Sequence, residues 1–261
     1  MMTSTILTLA RREFIRFVRQ PHRVAGSLGQ PVLFWLFLGS GFTPSFQGPG
    51  LSEMTYLEYF YPGVLMMMML FTSVFSVITV IEDRDQGFLQ GVVVAPVPRL
   101  AIVLGKVLGS AGIALFQSFL LLLAAPFLGL PLTVSGSALV IGSMILCSLG
   151  FTTLGFAFGW GMRSTSGFHA FMMIFLMPLW ILSGAMFPLS NLPGWLDVIT
   201  TLNPVTHAMT LLRAGFYAPA AEALAQPGVL SALGITAAWV IAGMIASAQR
   251  VGVREEGAPL G

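Results

Sequence analysis

Apolar residues fall in six long runs along this chain, near 25–43, 61–81, 102–128, 134–161, 168–188 and 229–249. A helix that crosses the hydrocarbon core of a bilayer needs about 20 mostly apolar residues, so each run predicts one membrane-spanning helix. Ten-residue windows of strict apolar–polar alternation are absent, which argues against a β-barrel. The first 23 residues follow a different pattern. Arg12, Arg16, Arg19 and Arg23 recur at spacings of four, three and four and share one helical face. Ile6, Leu7, Ala10, Phe14, Phe17 and Val18 take the opposite face, while Leu9 and Ile15 break the pattern. The expectation is an amphipathic interfacial helix over 1–23, with its apolar side in lipid and its arginines toward anionic headgroups. Its basic region is too long, and a small-residue cleavage site too indistinct, for a removed signal peptide.

Composition supports the membrane reading. The chain is 56% hydrophobic and 8% charged, with a mean hydropathy of +0.88. Soluble domains carry about 25% charged residues. The fold class is therefore an all-α integral membrane protein of six transmembrane helices, a single unit over 1–261. Charge then orients it. If the runs alternate in direction, Arg11, Arg12, Arg16, Arg19, Arg23, Arg84, Arg99, Lys106, Arg163, Arg250 and Arg254 all fall on one side, and of the 12 basic residues only Arg213 falls on the other. Basic residues are retained in the cytoplasm during insertion, so both termini are expected inside, with Glu53 and Glu58 in an outer loop.

The spans lack the chemistry of several function classes. No charge lies near the middle of a span, which disfavours an ion-coupled carrier or channel. Lys106 sits close to the inner end of its span, where it can snorkel. Ser166 and His169 have no third group for a catalytic triad. His22 and His207 have no ligand cluster, so no metal site is expected. Gly105-Lys106 is followed by Val107 and preceded by Leu100 where a P-loop has its first glycine, so the chain has no visible means of hydrolysing ATP. The lone Cys147 reads as packing. Gly105 and Gly109, and Gly155 and Gly159, permit close helix approach, more in keeping with packing inside the chain than with a dimer seam. Pro178 predicts a kink in the fifth span. Met66 to Met69 read as core filler or lipid-facing residues rather than a substrate patch.

Between spans two and three lies EDRDQGFLQGVVVAPVPR, residues 82–99. Four charged residues in a row, Glu82, Asp83, Arg84 and Asp85, are more than topology requires. The prolines at 96 and 98 disfavour helix just before them. A short helix with apolar residues follows the charges, suited to a groove on a soluble protein.

This stretch, read on through Gly105-Lys106, resembles the membrane subunits of type-2 ABC exporters, the permease family of drug-resistance and polysaccharide-export proteins. A second motif, LSGAMFPLSNLPGWLDVITTLNPVTHAMTLLRAGFY from Leu182 to Tyr217, carries the same resemblance. Phe88 stands where many members have Thr. The resemblance implies a cytoplasmic coupling helix in 82–99 seated on a separate ATPase subunit, through Glu82, Asp83, Arg84, Asp85, Gly87, Phe88, Leu89, Pro96, Pro98 and Arg99. It implies a connecting helix bearing Arg12, Arg16, Arg19 and Arg23. Between spans five and six it implies outer re-entrant helices over 189–228, shaped by Pro188, Pro193, Gly194, Trp195, Asn203, Pro204 and Arg213. Trp195, Leu196, Ile199 and Leu202 suit the start of an interfacial helix there. Its implied partners are an ABC ATPase, a second copy or a similar permease, and membrane lipid, with no nucleic acid. ATP and magnesium belong to the ATPase, and no cofactor to this chain. The implied location is the inner (plasma) membrane, and the implied role is export of a drug, lipid or lipid-linked glycan. The rivals are an ion-coupled carrier or channel, and a non-transporting membrane anchor for an ATPase.

Overall fold

The computed structural model describes residues 2–45, 54–88, 91, 98–130 and 132–253. Among them there are helices and connections but no strands. In chain order the helices are α1 (Met2–Val18), α2 (Pro21–Phe42), α3 (Tyr56–Ser76), α4 (Ile78–Asp85), α5 (Arg99–Ala124), α6 (Val134–Gly159), α7 (Thr165–Trp180), α8 (Gly194–Leu202), α9 (Pro204–Tyr217), α10 (Ala220–Ala225) and α11 (Val229–Val253). Six membrane-length apolar units result: α2, α3 with α4, α5 with its last tight turn, α6, α7 with a following π turn, and α11. The protein is a multi-pass membrane protein.

α3 is the centre of the bundle. Its residues from Tyr59 to Leu70 are all buried, because α2, α5, α6 and α7 surround it. A helix enclosed on all sides has no polar face to keep, which is why its sequence is apolar throughout. Met66 to Met69 are part of this core. The second span begins at Tyr56, earlier than the apolar run that starts near 61. Thr55 and Glu58 form a reciprocal capping box that starts the helix there. Glu58 is therefore inside α3 rather than in a loop, and Tyr56 and Tyr59 extend the span because their hydroxyls find carbonyls to bond.

The two ends of the bundle differ. At the basic end, Val77, Val80, Ile102, Val103, Val107, Phe156, Trp160 and Val251 form a small core joining α3, α4, α5, α6 and α11. At the far end, Leu211, Ala214, Ala218, Ala223, Val229 and Ala232 join α9, α10 and α11. Both glycine pairs are filled from inside the chain. A Cβ at Gly105 would lie 2.7 Å from Leu9 Cβ, and one at Gly109 would lie 2.8 Å from Glu13 Cβ, so this stripe is the groove that seats α1. Gly155 and Gly159 face Val74 and Val77. Ser166 and His169 have separate neighbours: Ser166 meets Ser164 at 3.0 Å, and the His169 ring stacks on Phe75 at 4.3 Å. Cys147 is buried.

Candidate functional site

Successive residues of a helix point about 100° apart, so four charges in a row face several different neighbours. The last turn of α4 shows this. Asp83 is fully buried and accepts from three cations. Arg12 grips it with both guanidinium nitrogens, at 2.8 and 3.0 Å. Arg16 donates to it at 3.0 Å, and Lys106 closes the third side. Glu82 turns to Arg16, at 2.6 Å. Arg84 turns the other way and donates to the carbonyls of Trp160 (2.6 Å) and Met162 (3.1 Å), beyond the last turn of α6. A cation at that place complements unsatisfied carbonyls and the negative end of the helix dipole. Asp85 is exposed.

Glu13 completes the junction. It is buried on α1 and accepts from Lys106 at 2.6 Å and from Arg12 at 3.2 Å. Three carboxylates (Glu13, Glu82, Asp83) meet three cations (Arg12, Arg16, Lys106), so the cluster is neutral as a unit. Its hydrogen bond to Asp83 raises the Arg12 pKa above the ordinary arginine value, partly opposed by desolvation. The junction ties α1, α4 and α5 together.

Several expectations change here. Lys106 is 1% exposed and does not snorkel; two buried carboxylates hold it inside. Glu82, Asp83 and Arg84 are engaged within the chain rather than projecting into water. The four arginines do not form one continuous stripe. α1 ends at Val18, and α2 restarts at Pro21, whose ring suits the first turn of a helix. Arg12 and Arg16 face α4, Arg19 lies exposed in the break, and Arg23 belongs to α2. The side of α1 that is buried carries Leu9, Glu13 and Phe17, whereas Leu7 and Val18 are exposed.

Gly87 ends α4. Its φ of +75° is a conformation that glycine adopts without strain, and its N–H bonds the Arg84 carbonyl at 3.0 Å. No atom crowds the space a side chain would take there. Phe88 follows, with the Arg12 guanidinium 3.8 Å above its ring. Pro98 caps α5 in extended conformation, and Arg99 is the first residue of that helix. Leu89 and Pro96 lie outside the described residues.

At the far end the fifth span opens. Pro178 lies within α7, and the helix widens into a π turn over Ile181–Ala185, broken at Gly184, whose φ is +82°. A widened turn frees carbonyls, and in a bilayer these need partners. Asn203 Nδ2 donates to Leu179 O at 2.7 Å, while its Oδ1 accepts from Val205 N and caps α9. Tyr59 and Arg213 both donate to Gly184 O at 2.9 Å. Tyr56 donates to Met186 O at 2.9 Å. The Arg213 guanidinium also lies 3.9 Å over the Tyr59 ring. Pro62 in α3 leaves the Glu58 carbonyl without a helical donor, and the Tyr217 hydroxyl supplies one at 2.7 Å. Burial pushes the Tyr217 phenol above its ordinary pKa, so it remains a donor. Pro188 is half-buried after the π turn, Pro193 and Gly194 start α8, and Pro204 starts α9. α8 exposes Trp195, Val198, Ile199 and Leu202, whereas Leu196 is half-buried.

The sequence singled out Asp83, Arg84, Asn203 and Arg213, but not the contacts within the chain that hold them. It missed Glu13, Tyr59 and Tyr217. An acidic residue inside an otherwise basic amphipathic helix was the available signal for Glu13. For Tyr59 it was a tyrosine one turn before Pro62 in a span, and Tyr217 carried no local signal.

Residues 4–217 match the family described as ABC-2 type transporter. A relative named transport permease ycf38, from Cyanophora paradoxa, is 29% identical over 210 residues, covering 80% of this chain and 72% of its own. YbhR of Escherichia coli (strain K12), named as a multidrug ABC transporter permease, is 30% identical over 133 residues, 50% of this chain and 35% of its own. The inner membrane transport permease YhhJ of the same organism is 25% identical over 174 residues, 66% of this chain and 46% of its own.

Proposed function

Because the chain belongs to the ABC-2 type transporter family, we propose that it is the transmembrane subunit of an ATP-driven exporter, with hydrolysis in a separate ATPase subunit docked at its basic end. The basic end then faces the cytoplasm, with both termini there, and ATP and magnesium bind in the ATPase. Two copies, or one copy and a similar permease, enclose the pathway. α8, with its apolar face outward, lies in the opposite membrane interface as part of a re-entrant outer segment.

The observation that carries this reading is the ionic junction. The end of α4, where Asp85 and Gln86 are exposed and the Gly87–Phe88 turn is half-buried, is backed by Asp83, Arg12, Arg16 and Lys106. A push delivered to the turn by an ATPase reaches α1, α3 and α5 together, because buried charge pairs do not give way singly. Nucleotide then biases a two-state bundle. Asp85 is the residue to test, since it is exposed and its replacement leaves the junction intact. Asp85→Lys should keep normal membrane levels yet lose ATPase activity that copurifies with the tagged chain, because an unpaired charge at an interface costs about 2–5 kcal/mol when desolvated. Glu222→Lys, exposed on α10 at the far end, should keep it. Wild-type copurifying hydrolysis in Asp85→Lys would remove the docking role, and hydrolysis by the chain stripped of its partner would remove the subunit assignment.

A further inference from the structure

A cavity of about 360 Å³ lies where α2 and α7 flank α3, with Phe17 of α1 and Ile113 of α5 completing its wall. Its polarity is graded along the helices. Arg23, Ser27, Ser76 and His169 line it toward the basic end. Pro31, Met67, Met173 and Met177 line it deeper in the bundle. The separation from Arg23 to Pro31, from Ser76 to Met67 and from His169 to Met177 is eight or nine residues in each case, about 12–14 Å at 1.5 Å per residue. The three helices thus place the cationic group at one depth and, apart from Gln30, apolar groups at the other.

The charge is one-sided. No carboxylate lines the cavity among the described residues. Arg12 and Arg16 are held by Asp83 and Glu82, whereas among the described residues the Arg23 side chain donates only to the side-chain amide oxygen of Gln20, at 3.5 Å. Pro31 has no N–H to offer the Ser27 carbonyl, so this stretch of α2 keeps a backbone acceptor beside the Ser27 hydroxyl. The deep end is lined by unbranched, polarizable methionines that adapt to varied apolar shapes. The volume lies at the low end of the ~300–1,000 Å³ usual for small-molecule sites. That suits one hydrocarbon chain better than two.

We infer that this cavity receives a single-chain anionic amphiphile from the leaflet at the basic end, its headgroup on Arg23 and its chain against the methionines. The inference rests on the exporter reading and names the substrate class. A neutral apolar molecule would leave Arg23 uncompensated, and a free anion would leave the methionine end empty.

The test uses the full chain in nanodiscs with two photoactivatable probes. Lysophosphatidic acid and lysophosphatidylcholine carry the same mid-chain diazirine. The acidic probe should crosslink peptides bearing Met67–Met68 or Met173–Met177 about tenfold more than the zwitterionic one. Arg23→Gln should abolish that preference and Arg23→Lys should retain it. Arg250→Gln, on α11 and outside this cavity, should change nothing. Met173→Trp should fill the space and suppress labelling by both probes. Equal labelling by the two probes in wild type, or an undiminished preference in Arg23→Gln, overturns the inference. Displacement of the acidic probe by excess inorganic phosphate would make this a free-anion site and overturns it too. Copurifying ATPase activity is scored on the same preparations. Retained hydrolysis with no headgroup preference sinks the substrate class alone, whereas headgroup preference without any copurifying hydrolysis sinks the exporter reading alone.

Discussion

Lys106 is the residue on which the basic end depends. It is buried and sits between two buried carboxylates, Glu13 and Asp83. Breaking a buried ion pair by removing one member leaves an uncompensated charge and costs about 3–5 kcal/mol. Asp83 keeps Arg12 and Arg16 when Lys106 is lost. Among the described residues Glu13 then keeps only the longer contact to Arg12, and its Oε2 has no partner. Lys106→Met should therefore lower the thermal midpoint of the purified protein strongly. Adding Glu13→Gln should restore about 1 kcal/mol or more, since it removes the stranded charge. A double variant no better than Lys106→Met would show that Glu13 and Lys106 do not act as a pair. The sequence showed four charges at 82–85 but not where each one goes. Asp83 and Asp85 are the same residue type two positions apart, one buried and one exposed. Only the neighbours that α1 and α5 bring from far along the chain distinguish them.

At the scale of elements, the membrane helices were legible because lipid demands long apolar runs, and the observed six units follow those runs. Their ends were less so. α3 starts early because Thr55 and Glu58 cap it, and the fifth span opens at Gly184, several residues past the proline that suggested a kink. The break is sustained by donors from α3 and α9, and such tertiary hydrogen bonds leave no local trace in sequence. Tyr217 gives a clean measure of one of them. Removing its hydroxyl leaves the Glu58 carbonyl without a donor, and a buried unsatisfied group costs about 1–3 kcal/mol. Tyr217→Phe should lower the thermal midpoint by a corresponding amount while leaving copurifying ATPase activity unchanged, because α9 is at the far end from the α4 turn. An unchanged midpoint would mean that water or another group serves the Glu58 carbonyl as well.

For the whole molecule, orientation follows from where the cations gather. The structure brings α1, the end of α4, the start of α5 and the end of α6 to one end, with Val251 of α11 packed beside Trp160. Arg11, Arg12, Arg16, Arg84, Lys106 and Arg250 all lie on these segments. Arg213 stays at the other end, where it bonds Gly184 O and has a structural reason to be there. Insertion holds basic segments in the cytoplasm, so the α1 end is expected inside. Two exposed positions report on this, Gln86 after α4 and Glu222 on α10. Cys147 is buried and contributes little background. A membrane-impermeant maleimide added to intact cells should label Glu222→Cys and spare Gln86→Cys, and permeabilised cells should label both. Labelling of Gln86→Cys alone in intact cells would invert the protein in the membrane, and would put the α4 turn out of reach of any cytoplasmic ATPase.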